Sequence, residues 1–373
     1  MKIYWYWPFV RDEELATGEA LCAAGHSVYL HTIAGRVTHH QAPDRFTVDA
    51  SVPAVASKAE GTARWLASRA TTYPMRARVR KHAVRRGDFD IAHVIYLNYF
   101  TDWLSLPSLS RDTPLVCTVH DVVPHQRRVP ERIQRALLAR QYQAASTIVV
   151  HHPTVGEQLT AEFGVDAARI HFVPWAVPVV PAREFAADRP TFEILMFGTM
   201  RRNKGIDVML DAFRQITDPR FRLTIAGRGF ADIEALVAEA GARDPRIRAE
   251  IGFISEDRKR ELYSGADVVA LPYTSFSSQS AVLHDAYAHH VPVVVSEVGA
   301  LGDSVRHDAT GVVIPPNDSQ ALAGTLIDLE ANAVGRSAYG EGAKVVAEAR
   351  TPAIVADQIT RLYNICLNPG AKL

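Results

Sequence analysis

Glu193-Ile194-Leu195-Met196-Phe197-Gly198-Thr199-Met200-Arg201-Arg202-Asn203-Lys204-Gly205-Ile206 is the stretch that decides how this chain reads. Its apolar run, 194–197, is short and ends in glycine, as a strand covered on both faces does. Beyond Gly205 apolar residues return at helical spacing as far as Ile216. A strand thus enters a helix through a turn that carries Arg201, Arg202 and Lys204. The next strand reads at 222–226. Strand, helix, strand in this order builds a parallel, doubly wound sheet, because parallel neighbours need a crossover. Gly198 and Gly205 allow close backbone approach, and the free N–H groups at a helix start favour an anion. Arg201 and Lys204 add charge that a diphosphate would use. A solvated basic loop is the competing reading.

The same grammar extends in both directions. Downstream, strands are expected at 268–272, 291–296 and 312–315, with helices near 233–240, 257–264 and 281–289. Upstream, strands are expected at 3–7, 28–31, 91–95, 115–120, 147–150 and 171–173. Pro174, Pro178, Pro181 and Pro190 interrupt the pattern. The expected domains are therefore 1–177, a linker at 178–190, and 191–352, followed by a tail, 353–373, that holds one amphipathic helix. The expected fold class is α/β: two Rossmann-like domains with parallel sheets facing a cleft. Open sheets of this kind bind ligands beyond the carboxyl ends of their strands.

Composition removes several classes. The 373 residues hold 41 Lys/Arg and 41 Asp/Glu, without the basic excess of a general nucleic-acid binder. No apolar run reaches the roughly 18 residues of a membrane span. The first ten residues lack the pattern of a signal peptide. Cys22, Cys117 and Cys366 are too few and too far apart for a disulfide framework or a thiolate zinc site, and they fit a reducing, cytoplasmic setting. The pairs His39-His40, His151-His152 and His289-His290 have no second ligand group at metal spacing, so no metal is expected. Charge is uneven along the chain. Residues 61–87 hold eight Lys/Arg, from Arg64 to Arg86, and no acid. That stretch would serve as a peripheral contact with an anionic inner-membrane surface, as a site for an anionic acceptor, or as a solvated helix face.

Two more strand-end turns matter. Residues 271–281 are small and rich in hydroxyls, and Asp285 follows one turn into the next helix. Asp285 would hold ribose hydroxyls or simply complement the helix dipole. Ala226-Gly227-Arg228-Gly229 is too short for a dinucleotide fingerprint, and no G-x-G-x-x-G turn follows an early strand, which argues against a nicotinamide enzyme.

In order, the blocks F-G-T-M-R-R-N-K-G, A-G-R-G, I-G-F-I-S, A-D-V-V-A-L-P-Y and S-S-Q-S-A-V-L-H-D-A-Y-A-H-H-V-P-V-V-V-S-E-V-G resemble the donor half of family 4 retaining glycosyltransferases, over about residues 193–316. The resemblance implies the GT-B fold, with a nucleotide sugar held by the second domain and a C-terminal helix returning to the first. Through it, Arg201 and Lys204 match the diphosphate cations. Gly198, Thr199 and Gly227 match the turns around them, with Thr199 where many members carry arginine. Phe253 and Ile254 match the base-binding segment. Gln279, Ser280 and Ala281 match a phosphate-facing loop, and Asp285 a ribose ligand. Ser277 stands where a glutamate usually meets the donor sugar.

In the first half, Thr118-Val119-His120-Asp121-Val122-Val123-Pro124-His125 resembles the family's T-x-H-D-x-x-P-H block. It implies that His120 serves in the active site, and that Asp121 orients it or caps the following segment. His151 ends another strand at the acceptor side. Trp7 and Phe9 replace a usual glycine pair, and would either stack on an acceptor or pack in the core. The implied activity is retaining transfer of a sugar from a nucleotide-diphosphate sugar, UDP- or GDP-linked, to a hydroxyl acceptor such as a glycan, a lipid-linked sugar or a natural product. No cofactor is implied. The alternative is a non-catalytic protein that binds the nucleotide sugar.

Overall fold

The computed structural model describes residues 1–8, 12–33, 44–56, 62–98, 102–111, 113–123, 129–180, 190–276 and 280–368. Phe9, Ser277 and Gln279 lie outside them. The chain divides into two compact units, Met1–Ala176 with Pro352–Leu373, and Val177–Thr351.

The first unit is built on seven strands. Across the sheet they run β3 (Phe46–Val52), β2 (Ser27–Ile33), β1 (Lys2–Tyr6), β4 (Ile91–Val94), β5 (Leu115–Val119), β6 (Thr147–Val150) and β7 (Ile170–Phe172). All neighbours are parallel. Strand period divides β1 between two cores. Tyr4 and Tyr6 pack with Val94, Cys117 and Ile148 on one face. Ile3 and Trp5 pack with Val28, Leu30 and Val116 on the other. Two helices close this second face: α1 (Asp12–Ala23) and the C-terminal α13 (Pro352–Leu367), which buries Val355, Ala356, Ile359, Leu362 and Tyr363. Trp5 Nε1 donates to the Tyr363 hydroxyl at 2.9 Å and ties the tail to the interior strand β1. Trp7 belongs to the same core and is 3% exposed, so it presents no face for stacking on an acceptor.

The second unit has six parallel strands. Their order is β10 (Ile247–Ile251), β9 (Phe221–Gly227), β8 (Phe192–Phe197), β11 (Val268–Leu271), β12 (Val293–Ser296) and β13 (Gly311–Ile314). Strands β3 and β10 are absent from the strand expectation above. Both are edge strands with partly exposed, mixed sequences, FTVDASV and IRAEI, so they lack the continuous apolar run of their buried neighbours.

The basic stretch forms one helix, α2 (Thr62–Gly87), despite Pro74 within it. Not all its charge faces outward. Arg80 is 1% exposed, bonds Asp102 at 2.6 Å and lies 3.6 Å above the Tyr6 ring. A solvated face is therefore an incomplete account of this helix.

Candidate active site

Glycines let the strand ends of the second unit press together. Gly205 has φ +66, and a Cβ there would lie 1.8 Å from the Pro272 carbonyl oxygen. Gly227 has φ +138, and its Cβ would meet the Gly198 carbonyl at 2.0 Å. Any side chain at either position would force the turns after β8, β9 and β11 apart. Hydrogen bonds fasten the first turn to the third: Thr274 N donates to Asn203 O at 3.0 Å, and Asn203 Nδ2 to Ser275 O at 3.1 Å.

This packing fixes Lys204, which ends the short 3-10 turn before α6 (Ile206–Gln215). Its Nζ lies 3.6 Å from the centroid of Tyr273 and 5.0 Å from that of Phe276. The Tyr273 hydroxyl bonds Ser280 Oγ at 2.9 Å, and Ser280 is the residue that immediately precedes α9 (Ala281–Ala288). One tyrosine therefore links the ammonium to a helix N-terminus, a pairing that suits a diphosphate. Among the described residues no carboxylate pairs with Lys204. Burial, and then the charge of Arg201, lower its pKa to about 7.

A bound diphosphate would hold Lys204 charged. Affinity for a nucleoside diphosphate is thus expected to fall as pH rises above about 7, by up to about tenfold per unit, because binding must then take up a proton. Calorimetry at about pH 8.5 in buffers of different ionisation enthalpy checks this. Absence of proton uptake would mean that Lys204 is already charged in the free protein.

Asp285, on α9, is buried and pairs with Lys259 Nζ of α8 (Glu256–Gly265) at 2.8 Å. Sequence reading did not find Lys259. It looks like one more cation on a charged helix, and only the tertiary fold brings it to Asp285. Thr199 and Arg201 are exposed, Gly198 and Ala281 are partly exposed, and Gly227 is buried. Phe253, directly after Gly252, is 86% exposed, while Ile254 packs against the core.

In the first unit His120 follows β5, and its Nε2 bonds the Ile95 carbonyl at 2.9 Å. A carbonyl only accepts, so Nε2 carries the proton and Nδ1 is the basic atom of the neutral ring. His151 is tied the opposite way, with Nδ1 on the Val173 carbonyl at 2.8 Å. The two rings lie 5.0 Å apart, and His151 stacks on Trp175 at 5.4 Å. Behind them His93 bonds Tyr363 at 2.7 Å and Thr118 at 2.8 Å. Burial, and then the neighbouring histidine charges, lower both His93 and His151 to about 3, so both are neutral at physiological pH. These rings line a cavity of about 50 Å³ with Glu14, Thr17 and Trp5. That space admits water but not a sugar ring. Sequence reading missed His93 and Trp175, which lie mid-strand and in a proline-rich segment. Asp121 is half-buried beside His120. Among the described residues no group of His, Cys, Asp or Glu is placed to hold a metal.

Residues 15–179 match the model of "Glycosyltransferase Family 4" and residues 191–332 that of "Glycosyl transferases group 1". The chain is a family 4 glycosyltransferase. A phosphatidyl-myo-inositol mannosyltransferase of Mycobacterium tuberculosis is 28% identical over 80% of both chains. One of Mycobacterium leprae is 33% identical over 46% of this chain and 45% of its own length. The fold matches that of Anabaena HepE in complex with UDP and glucose, at a TM-score of 0.73 and 15% identity, over 98% of this chain and 99% of that one. This glycosyltransferase therefore has the GT-B fold.

Proposed function

We propose that this glycosyltransferase transfers a sugar with retention from a UDP- or GDP-linked donor to a hydroxyl acceptor, and that the second unit holds the donor. The observation that carries the reading is the junction of Lys204, Tyr273 and the α9 N-terminus. Arg201, Lys204 and the starts of α6 and α9 stabilise the charge that develops on the departing nucleoside diphosphate. Gly198, Thr199, Gly227, Ser280 and Ala281 surround the phosphates, Asp285 takes the ribose, and Phe253 with Ile254 takes the base. The acceptor oxygen bonds to the anomeric carbon as the carbon–oxygen bond to the diphosphate breaks on the same face. The acceptor's proton passes to the departing diphosphate, so no side-chain nucleophile is required. These cations replace a metal, and transfer is expected to persist in chelator.

The first unit takes the acceptor, with His120, Asp121 and His151 nearest to it. His120 hydrogen-bonds an acceptor or donor hydroxyl, or stabilises charge near the anomeric centre. The relatives' names favour mannose as the sugar. No helix among the described residues is long and apolar enough to cross a membrane. The exposed part of α2 supports a peripheral contact with the inner membrane surface, in the cytoplasm.

A thermal-shift panel of UDP, GDP, ADP, TDP, NAD and NADP in chelator tests the donor assignment. Stabilisation by one nucleoside diphosphate, absent in Lys204→Ala, is expected. Stabilisation by NAD or NADP alone would overturn it.

A further inference from the structure

We infer that the first unit carries a second binding site, for a phosphorylated sugar or polyol, between α2 and the β1–β3 edge of its sheet. The cavity there measures about 470 Å³, within the range of small-molecule sites. Strand period turns Ser27, Tyr29 and His31 of β2, and Thr47, Asp49 and Ser51 of β3, toward it. The opposite face of the same strands carries Val28, Leu30 and Phe46 in the core. A sheet face that served only to seat a helix would be apolar as well. Here a polar row of side chains lies beside the apolar seat that Tyr4, Ile33 and Val52 give Val84 of α2, and α2 adds His82 and Arg86 to the cavity.

Charge is sorted along the strands. Lys2 pairs in register with Ser27, and Val28 N bonds Arg45 O, so Lys2, Ser27 and Arg45 form a row at the amino ends, with Arg86 lining the same cavity. Among the described residues no carboxylate pairs with Lys2, Arg45 or Arg86. The side chains of the first two bond backbone oxygens, Gly87 O at 3.2 Å and Gly25 O at 2.8 Å, while the Lys2 backbone N–H donates to Asp90 Oδ2 at 2.7 Å. Four residues further, roughly 13 Å along the strands, lies a row of opposite character. There His31, fully buried, is held by the Tyr4 hydroxyl at 2.8 Å and Ser51 Oγ at 3.2 Å. Asp49 accepts from the Tyr29 hydroxyl, and from Ser51 N at 2.8 Å. Burial raises its pKa, but these hydrogen bonds outweigh that and keep it ionised below the usual carboxylate range.

Cations without a side-chain carboxylate partner at one end suit a phosphate. An anchored carboxylate with hydroxyls at the other end suits sugar or polyol hydroxyls. Tyr29 and Phe89, with rings 5.5 Å apart, give a ring an apolar wall. The cavity lies on the Tyr4 and Tyr6 face of the sheet, whereas the His120 cavity lies on the Trp5 face. The two sites are separate, and the inference does not depend on the donor assignment.

Titration calorimetry of the full chain with glucose 6-phosphate, mannose 1-phosphate and myo-inositol 1-phosphate tests it. Saturable binding by at least one of them is expected, about tenfold or more tighter than glucose or inorganic phosphate. Arg86→Ala and Asp49→Asn should each weaken it about tenfold while melting as the parent does, and Lys204→Ala should leave it unchanged. A parallel arm sediments the protein with vesicles of phosphatidylcholine, with or without phosphatidylinositol. Binding only to phosphatidylinositol vesicles, lost in Arg86→Ala, would identify the ligand as a lipid headgroup. No binding in either arm at about 10 mM ligand, or binding indifferent to both variants, overturns the proposal.

Discussion

Lys204→Ala is expected to lower turnover of the nucleotide sugar by about 10²- to 10³-fold, the usual loss when one donor to a developing anion is removed. The loss should appear mainly in kcat, because charge on the diphosphate grows as the glycosidic bond breaks. Lys204→Arg should recover only part of it. A guanidinium keeps the charge and can lie over Tyr273, but its longer, forked side chain places that charge differently from the compact ammonium. Stability should not fall with activity. Lys204 has a pKa lowered to about 7 in the fold, so at and below that pH the native state carries a partly desolvated charge with no carboxylate partner among the described residues. That cost fades as pH rises from about 7 toward the ordinary lysine value. Removing the ammonium should therefore leave the melting temperature unchanged or raise it below pH 7. Full turnover in Lys204→Ala, measured as release of the nucleoside diphosphate, would show that the diphosphate binds elsewhere.

Asp102→Ala is expected to destabilise the first unit by about 3–5 kcal/mol. Arg80 and Asp102 are each 1% exposed, and their 2.6 Å contact joins α2 to the segment after β4. Asp102 Oδ2 also accepts from Asn98 N at 2.9 Å, so the carboxylate holds that segment as well as the arginine. Its loss strands a guanidinium in the core above Tyr6. A fall in melting temperature of roughly 10 °C or more corresponds to that cost for a unit of this size. Replacing both partners, as in Arg80→Met with Asp102→Leu, should recover most of the stability, because no charge is then left buried. A single-variant loss below about 1 kcal/mol would mean that water reaches the pair.

The buried strands and the helices between them could be read from the chain because each is a short apolar run next to a 3.6-residue pattern. Edge strands β3 and β10 could not, because their polar residues break the apolar run and resemble loop. The turn at 198–205 could be read for the same local reason: glycine, cations and a helix start lie within a few residues of one another. Lys259 could not, since nothing near it in sequence marks it as Asp285's partner. Arg80 is similar. In the run from Arg64 to Arg86 it looks like its neighbours, and it differs only because Asp102, 22 residues away, meets it inside the fold.

The sequence by itself therefore determined the α/β class, the order of the phosphate-facing turns and the family. Those properties are written in local pattern, through strand and helix periodicity and the glycines that a close turn demands. The tertiary structure alone decided which charges are paired, which histidine nitrogen carries its proton, and that Trp7 is core. Those properties depend on groups brought together from distant positions, where burial and the partner across the contact set the charge state and hydrogen bonding of each side chain.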